Sequence, residues 1–242
     1  MSSSNLQRFV PASRLLGFLL LVLGLALPIS AQEHMSNFGT SGFEISMEMT
    51  PTSDGNYVTV SPVIRFNTTT GPQVKIYLNK IDGNSDIIWS RKIGQMPSNN
   101  QPGHQFPLSV VEMHDDSGAA IGYAVTGHNL HVNTTDPIFI VTTDLNGHAL
   151  QFRTYGGVIP TPGATIAPER GVGNKIIQNH QGELVVVGSI SLTDNVGVVP
   201  YMLNVNTDLS LNFMRLYHDV RFFNNLFGFG SGASFDDIVV AP

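Results

Sequence analysis

The hydrophobic pattern of the chain is a series of short apolar runs separated by turn residues. Each run is rich in Val, Ile, Tyr and Phe and is bounded by Asp-Gly, Ser-Gly, Gln-Gly or Asn-Gly, which are strand and hairpin signals. No run keeps the 3.6-residue spacing over the ~11 residues that a helix requires. The pattern predicts an all-β fold. The predicted strands form three sets of four: 43–49, 57–63, 74–81 and 87–93; 108–113, 120–126, 137–143 and 149–155; 175–178, 184–190, 201–205 and 211–217.

The three sets align as internal repeats with a period of about 63 residues. A turn glycine recurs at Gly55, Gly118 and Gly182. An aspartate that opens the second turn recurs at Asp82, Asp144 and Asp208, and a large aromatic follows at Trp89, Phe152 and Phe213. Four antiparallel strands per repeat is the plan of a β-propeller blade, so the fold expected is β-propeller-like. It would hold about three blades (43–105, 106–173 and 174–233) and one strand of a fourth (234–242), with the aromatics packed between neighbouring sheets.

Two sets of long links make this period longer than the ~40–50 residues of WD40 and kelch repeats. One set joins the second and third strands, at 65–73, 128–136 and 191–199, and the other joins the repeats, at 95–106 and 156–173. In a propeller both sets lie on one face. We therefore expect that face to carry any binding surface.

The repeat motifs resemble those of secreted bacterial β-propeller proteins of the kelch-like or PQQ-like type. The residues that carry the resemblance are an Asp-Gly turn before a Val-x-Val-x strand, and an aspartate and aromatic before Tyr155-Gly156-Gly157. The first repeat keeps only Ile93-Gly94, and the third has Tyr217-His218-Asp219 and no turn glycine after Asp208. The resemblance covers residues 43–242 and implies an extracellular or surface-exposed protein, without indicating its function.

The end of the chain matches the first strand of another repeat, because Ile238 in the segment 234–241 lies one repeat period after Ile176. Three blades and one strand are fewer than the four blades of the smallest usual propeller. Three interpretations stay open. The reading frame is a fragment, or an open arc of blades self-associates through its unpaired edges, or the last strand folds back onto the first blade.

The segment 1–31 has the features of a secretory signal peptide. Arg8 and Arg14 precede an apolar run at 15–27, and small residues follow up to Ala31, where cleavage is expected. A membrane anchor is the alternative, but this apolar run is shorter than the ~20 residues needed to span a bilayer. The predicted organisation is a signal peptide (1–31), a linker (32–42) and a repeat domain (43–242), with secretion to the periplasm, cell surface or medium and no membrane span after cleavage.

Composition excludes some function classes. The 242 residues carry a net charge of −6, and only 12% are charged, about half the ~25% of average globular proteins. Disorder and nucleic-acid binding are therefore poor interpretations. Because the chain has no cysteine, its stability must come from a packed core rather than from disulfides.

The candidate metal ligands are His128, His131 and Asp136, which the pattern places together in the long loop of the second repeat. Imidazole and carboxylate groups can hold a divalent metal, but residues i and i+3 of a strand point to opposite faces, so only a loop could bring both histidines together. A polar exposed loop is the favoured interpretation.

Other motifs also have structural explanations. The pairs Asp115-Asp116 and Asp236-Asp237 could bind calcium or act as acid and base, but they fall at turns and strand starts, where aspartate makes local hydrogen bonds. Residues 228–232 (GFGSG) do not open a helix after a strong parallel strand, so a dinucleotide loop is not predicted. The sequons at Asn67 and Asn133 are read as polar loop residues, and the three repeat aromatics as core rather than as a sugar platform.

Two function classes remain. The favoured one is an extracellular non-catalytic binding, adhesion or scaffold module without a cofactor, whose partner would be a cell-surface glycan or protein or a second copy of the chain. The alternative, by analogy of fold alone, is part of a secreted propeller enzyme, either a polysaccharide hydrolase or lyase or a quinone-dependent dehydrogenase. The single tryptophan, Trp89, weakens the quinone-dependent interpretation, which expects a tryptophan motif in every blade.

Overall fold

The computed structural model describes residues 43–67, 71–93, 105–129, 138–156, 159–161, 164–166, 168–192, 197–217 and 236–239. These ranges contain strands and turns, and none of them holds a helix that is long and apolar enough to cross a membrane. They belong to one compact unit. The predicted signal peptide (1–31) and linker (32–42) lie outside the described residues.

Twelve of the strands build three antiparallel sheets that repeat one topology, with a thirteenth as an extra piece of the first sheet. In the first sheet, β1 (Phe43–Glu44) and β2 (Glu48–Pro51) both pair with β3 (Tyr57–Asn67), followed by β4 (Gly71–Ile81) and β5 (Ile87–Ile93). The second sheet is β6 (Gln105–His114), β7 (Ala120–Asn129), β8 (Ile138–Thr143) and β9 (Ala149–Tyr155). A small hairpin, β10 (Ile159–Thr161) and β11 (Ala164–Ile166), precedes the third sheet of β12 (Pro168–Gln178), β13 (Leu184–Leu192), β14 (Gly197–Val205) and β15 (Leu211–Leu216).

The all-β prediction is confirmed, and each predicted strand of the three repeats matches a strand of the structure. The predicted links between the second and third strands were too long. Pairing continues through Arg65 with Gln73 to Asn67 with Gly71 in the first sheet, and to Leu192 with Gly197 in the third. Polar residues in these hairpin ends conceal the strand pattern, because a strand that extends beyond the packed sheets no longer needs an alternating apolar face.

All six short turns have the same hydrogen bonds. In each turn of five residues, the N–H of the first residue donates to the carbonyl of the fifth residue. The carbonyl of the first residue accepts the N–H of the fourth residue, and this fourth residue has a positive φ. The first turns, between the first and second strands, are residues 52–56, 115–119 and 179–183. The second turns, between the third and fourth strands, are residues 82–86, 144–148 and 206–210.

The second turn of the third sheet corrects the sequence alignment. Asn206, rather than Asp208, opens this turn, and Leu209 takes the positive-φ position with φ of 62°. Asp82, Asp144 and Asn206 are then equally spaced along the chain. Leu209 adopts a left-handed backbone conformation that favours glycine. Its side chain is buried in the core between the second and third sheets.

The three sheets stack face to face in chain order. One core lies between the first and second sheets, where Val60 and Leu78 meet Tyr123 and Phe139. The other lies between the second and third sheets, where Ile138 and Ile140 meet side chains such as Tyr201. The second sheet therefore alternates, with Phe139 turned towards the first sheet and its neighbours Ile138 and Ile140 towards the third. This explains why all six residues of β8 are buried.

The first strands of the three sheets also contact one another. The Glu48 side chain of β2 accepts the N–H of Val110 in β6 at 2.8 Å. The Ser109 hydroxyl of β6 accepts the N–H of Ile176 in β12 at 3.1 Å. Glu48 also forms an ion pair with Lys175 of β12, so one carboxylate links the first strand of the first sheet to those of both other sheets.

Residues 236–239 are assigned to no strand, and the first strand of a fourth repeat at 234–241 stays a prediction. They do lie beside the third sheet, because the Asn174 amide of β12 donates to the Asp236 carboxylate at 3.2 Å. These two residues have the same separation along the chain as Glu48 and Val110. No described strand pairs with this segment.

The repeat aromatics have three different environments. Trp89 packs between the first two sheets, with its ring 5.9 Å from that of Tyr123, as predicted. Phe152 stacks on Phe139 of its own sheet at 5.8 Å and reaches the same core. The strand register makes Gln151, rather than Phe152, the equivalent of Trp89. Phe213, which has the equivalent position in the third sheet, is 46% exposed, so the prediction that it packs between sheets is wrong.

An arginine recurs near these positions in the fourth strand of each sheet, at Arg91, Arg153 and Arg215. The side chain of Arg91 lies against Gly147 in the second turn of the second sheet. Arg153 donates to the Leu209 carbonyl in the second turn of the third sheet at 2.9 Å. Each of these two arginines thus contacts the second turn of the next sheet. Arg215 lies on the outer face of the third sheet with the exposed Phe213.

Candidate functional site

The structure describes one of the three candidate metal ligands, His128. His128 lies in β7 and is paired with Ile138 of β8, so it is a strand residue and its assignment to a loop was wrong. His131 and Asp136 lie outside the described residues. Within the ranges that the structure describes, no three His, Asp or Glu side chains lie close enough together to hold a metal ion.

The aspartate pairs behave as turn residues where they are described. Asp115 opens a first turn and accepts hydrogen bonds from Ser117 and Ala119, which lower the pKa of its carboxyl group. Asp236 accepts from Asn174, and Asp237 accepts the N–H of Ile238. The local hydrogen-bonding role predicted for Asp115 is thus the one observed.

A pocket of about 330 Å³ lies where the first and second sheets meet, at the end of the sheets that carries the short turns. The first turn of the first sheet supplies Ser53, Asp54 and Asn56. The second turn of the second sheet supplies Leu145 and Asn146. The strands supply Lys80, Ile88, Trp89, Glu112 and Ala120. This is the Trp89 pocket.

Lys80 is the buried charge of the Trp89 pocket. Its side chain is 9% exposed, and its ammonium group donates to Asp54 at 2.6 Å and to the Tyr123 hydroxyl at 3.1 Å. Burial alone would lower the pKa of Lys80, but the hydrogen bonds to Asp54 and Tyr123 raise it. The same contact with Lys80, helped by the Thr52 hydroxyl, holds the pKa of Asp54 well below its usual range. Both groups are therefore charged at neutral pH.

Glu112 brings a second carboxylate to the pocket. It is 6% exposed, and one oxygen accepts the backbone N–H of Ser53 at 2.7 Å and lies 3.2 Å from the His114 ring. This contact holds the first turn of the first sheet against β6 of the second sheet. The wall that carries Asp54 is thereby fixed in place.

The buried lysine of the Trp89 pocket is not repeated in the second and third sheets. The strand register makes Thr142 and Asn204 the equivalents of Lys80. There the two sheets are joined by Gln178, whose amide donates to the His114 carbonyl at 2.9 Å and accepts the His114 N–H at 2.7 Å. A buried lysine costs stability unless it is paired, so a lysine at only one of three equivalent positions points to a local role.

Sequence reasoning missed this pocket because it expected function on the face with the long links. Two signals could have found it. Lys80 is a charge at the end of a strand whose alternate residues Ile76 and Leu78 are buried, and Trp89 is the only tryptophan of the chain. The ion pair with Asp54 could not be predicted, because Asp54 lies in a turn and Lys80 lies on a strand 26 positions further along the chain.

A scan against models of known protein families finds no match for the chain, and no curated protein matches it in sequence. Its function therefore has to be argued from the residues and their geometry.

Proposed function

We propose that the chain is a non-catalytic binding and scaffold module of a secreted, periplasmic or cell-surface protein, built from β-propeller-like repeats. The leader pattern at 1–31 supports export, and the three stacked sheets with touching first strands support the propeller-like arrangement. A cell-surface glycan or protein is the proposed partner.

The observation that carries the binding function is the fixed charge of the Trp89 pocket. A general acid or base must change its protonation near the working pH. The pKa of Asp54 is lowered and that of Lys80 is raised, so both groups titrate further from neutrality than usual. Such a pair suits recognition by hydrogen bonds better than proton transfer.

The scaffold function is supported by the sheet contacts. Glu48 and Ser109 each accept a backbone N–H from the first strand of the next sheet, and Arg91 and Arg153 each contact the second turn of the next sheet. Repeated contacts of this kind fix neighbouring sheets relative to each other. A binding surface on these sheets would be largely preformed.

The test is to probe arrays of surface glycans and exported proteins with the labelled chain, and to incubate the same polysaccharides with it. We expect saturable binding to one ligand class without release of new chain ends. Heat-unfolded protein is the control for adhesion through exposed apolar surface. No binding across the arrays, or turnover of a polysaccharide, would contradict the proposal, and turnover would favour the enzyme alternative.

A further inference from the structure

We propose that the Trp89 pocket binds one neutral saccharide residue, either free or at the end of a glycan. This inference rests on the binding function proposed above and assigns it a site and a ligand class.

The size of the pocket fits a single sugar ring. Its volume of about 330 Å³ is at the lower end of the ~300–1,000 Å³ range of small-molecule sites. It opens between two turns, so the rest of a glycan could extend into solvent.

The apolar part of the lining suits the C–H face of a sugar. Ile88 is 50% exposed and Leu145 is 39% exposed, which are high values for side chains of their size. Trp89 also lines the pocket, and its ring packs against Tyr123 and Gly147. A tryptophan fixed on its buried side offers a rigid contact surface at little entropic cost.

The polar part of the lining suits hydroxyl groups. Asp54 has a side chain that is 48% exposed, and the amides of Asn56 and Asn146 also line the pocket. A carboxylate accepts two hydroxyl donors, and an amide both donates and accepts, so a ring with several hydroxyl groups can be satisfied.

The charge of the lining selects against anions. The positive charge of Lys80 and the negative charge of Asp54 cancel. The carboxylate of Glu112 is then the remaining charge among the residues that line the pocket. A uronic acid, sialic acid or phosphate would meet this negative field. A neutral sugar would not need to displace the ion pair that holds the pocket together.

Trp89 makes the test direct, because it is the only tryptophan of the chain and it lines the pocket. We would titrate the chain with neutral methyl glycosides and short neutral oligosaccharides and follow tryptophan fluorescence. Glucuronic acid, sialic acid and choline are the charged comparisons. We expect a saturable spectral change with at least one neutral sugar and none with the acids.

Two variants locate the binding. Asn146→Ala removes an amide that is exposed in a turn, and Asp54→Asn removes a carboxylate acceptor; each should weaken binding about tenfold or more. Asp116→Asn changes an exposed carboxylate in the first turn of the second sheet and should leave binding unchanged. Circular dichroism and the unfolding midpoint show whether each variant keeps the native fold.

The outcomes separate this inference from the proposed function. If glycan binding on the arrays persists while Trp89 fluorescence and Asn146→Ala show no effect, the binding function stands and the pocket assignment is wrong. Saturable binding of choline or an acid, with no response to any neutral sugar, would overturn the ligand class. If no ligand binds in either experiment, both proposals fail.

Discussion

At the scale of single residues, the turn glycines with positive φ differ in how closely they approach the neighbouring sheet. Gly55 and Gly147 have nearly the same backbone, with φ of 81° and 77°. A Cβ on Gly55 would meet no atom within 4 Å, whereas one on Gly147 would lie 2.7 Å from the Trp89 ring. Replacing each of these two glycines by alanine therefore distinguishes the cost of backbone strain from the cost of overpacking between the sheets.

We expect Gly55→Ala to destabilise the protein by about 1 kcal/mol through backbone strain alone. Gly147→Ala should cost about 2–4 kcal/mol, because overpacking against Trp89 is added to the strain. Urea unfolding followed by circular dichroism measures both values. Equal losses for the two variants would contradict the packing of Trp89 on the second turn of the second sheet.

The ion pair of Asp54 and Lys80 predicts a pH dependence of stability. The folded pKa of Asp54 lies below its unfolded value, so its contribution is complete above that unfolded pKa of about 4 and is lost as the pH falls through the folded pKa. Asp54→Asn removes this contribution. The difference in unfolding midpoint between the wild-type protein and the variant should shrink as the pH falls from about 5 to about 2. A difference that is constant over this range would exclude the ion pair as its cause.

At the scale of elements, the fourth strands of the first and second sheets each present an arginine to the next sheet. Arg153 of β9 donates to the Leu209 carbonyl, which Tyr155 of the same strand also binds, at 2.8 Å. Burial raises the pKa of Tyr155, so it remains a donor at any physiological pH. Arg215 of β15 has the same place in its strand, but no sheet of the described residues follows it.

Arg153→Ala should therefore lower the free energy of unfolding by about 1–2 kcal/mol, because it removes one part-buried charge-assisted hydrogen bond. Arg215→Ala should change it by less than about 0.5 kcal/mol, as surface substitutions usually do. Chemical denaturation of the two variants side by side is the measurement. A comparable loss for Arg215→Ala would mean that its face is covered.

The sequence predicted the strands and turns better than the contacts between the sheets. Strand runs and turn glycines are local signals, so twelve strands and the first turns could be predicted. Leu209 misled the alignment, because burial in the core outweighs its poor preference for a positive φ. Phe152 was aligned one residue away from the true equivalent of Trp89, which is Gln151, because the aromatic residue type outweighed the exact spacing in the alignment. Phe213 has the equivalent position, but it is exposed on the outer face of the third sheet, which no described sheet covers.

At the scale of the whole molecule, each sheet contacts its neighbours in the chain, and the second sheet has a neighbour on both faces. Its third strand β8 is buried throughout, whereas the equivalent strand β14 of the third sheet has a half-buried Met202 and a Val198 that is 36% exposed. In repeat architectures, stability is the sum of such neighbour contacts. The middle of the described stack should therefore be its most stable part.

Hydrogen exchange measured by mass spectrometry should show this gradient. We expect amides of β7 and β8 to exchange slowest, near the limit of global unfolding, and those of β15 to exchange faster through local opening. Peptides from β13, inside the third sheet, are the control for opening of that whole sheet. Slower exchange in β15 than in β8 would contradict the gradient.

The second turns recur at a constant spacing along the chain, which indicates where residues can and cannot be inserted. Asp82, Asp144 and Asn206 are separated by two equal intervals, whereas the two intervals between the first-turn glycines differ in length. One extra residue between β4 and Arg91 would move Trp89 and Arg91 to the opposite face of β5 and uncouple two sheets. Grafted peptides and affinity tags therefore belong between β3 and β4, where the two strands extend beyond the packed core, and not in the second turns.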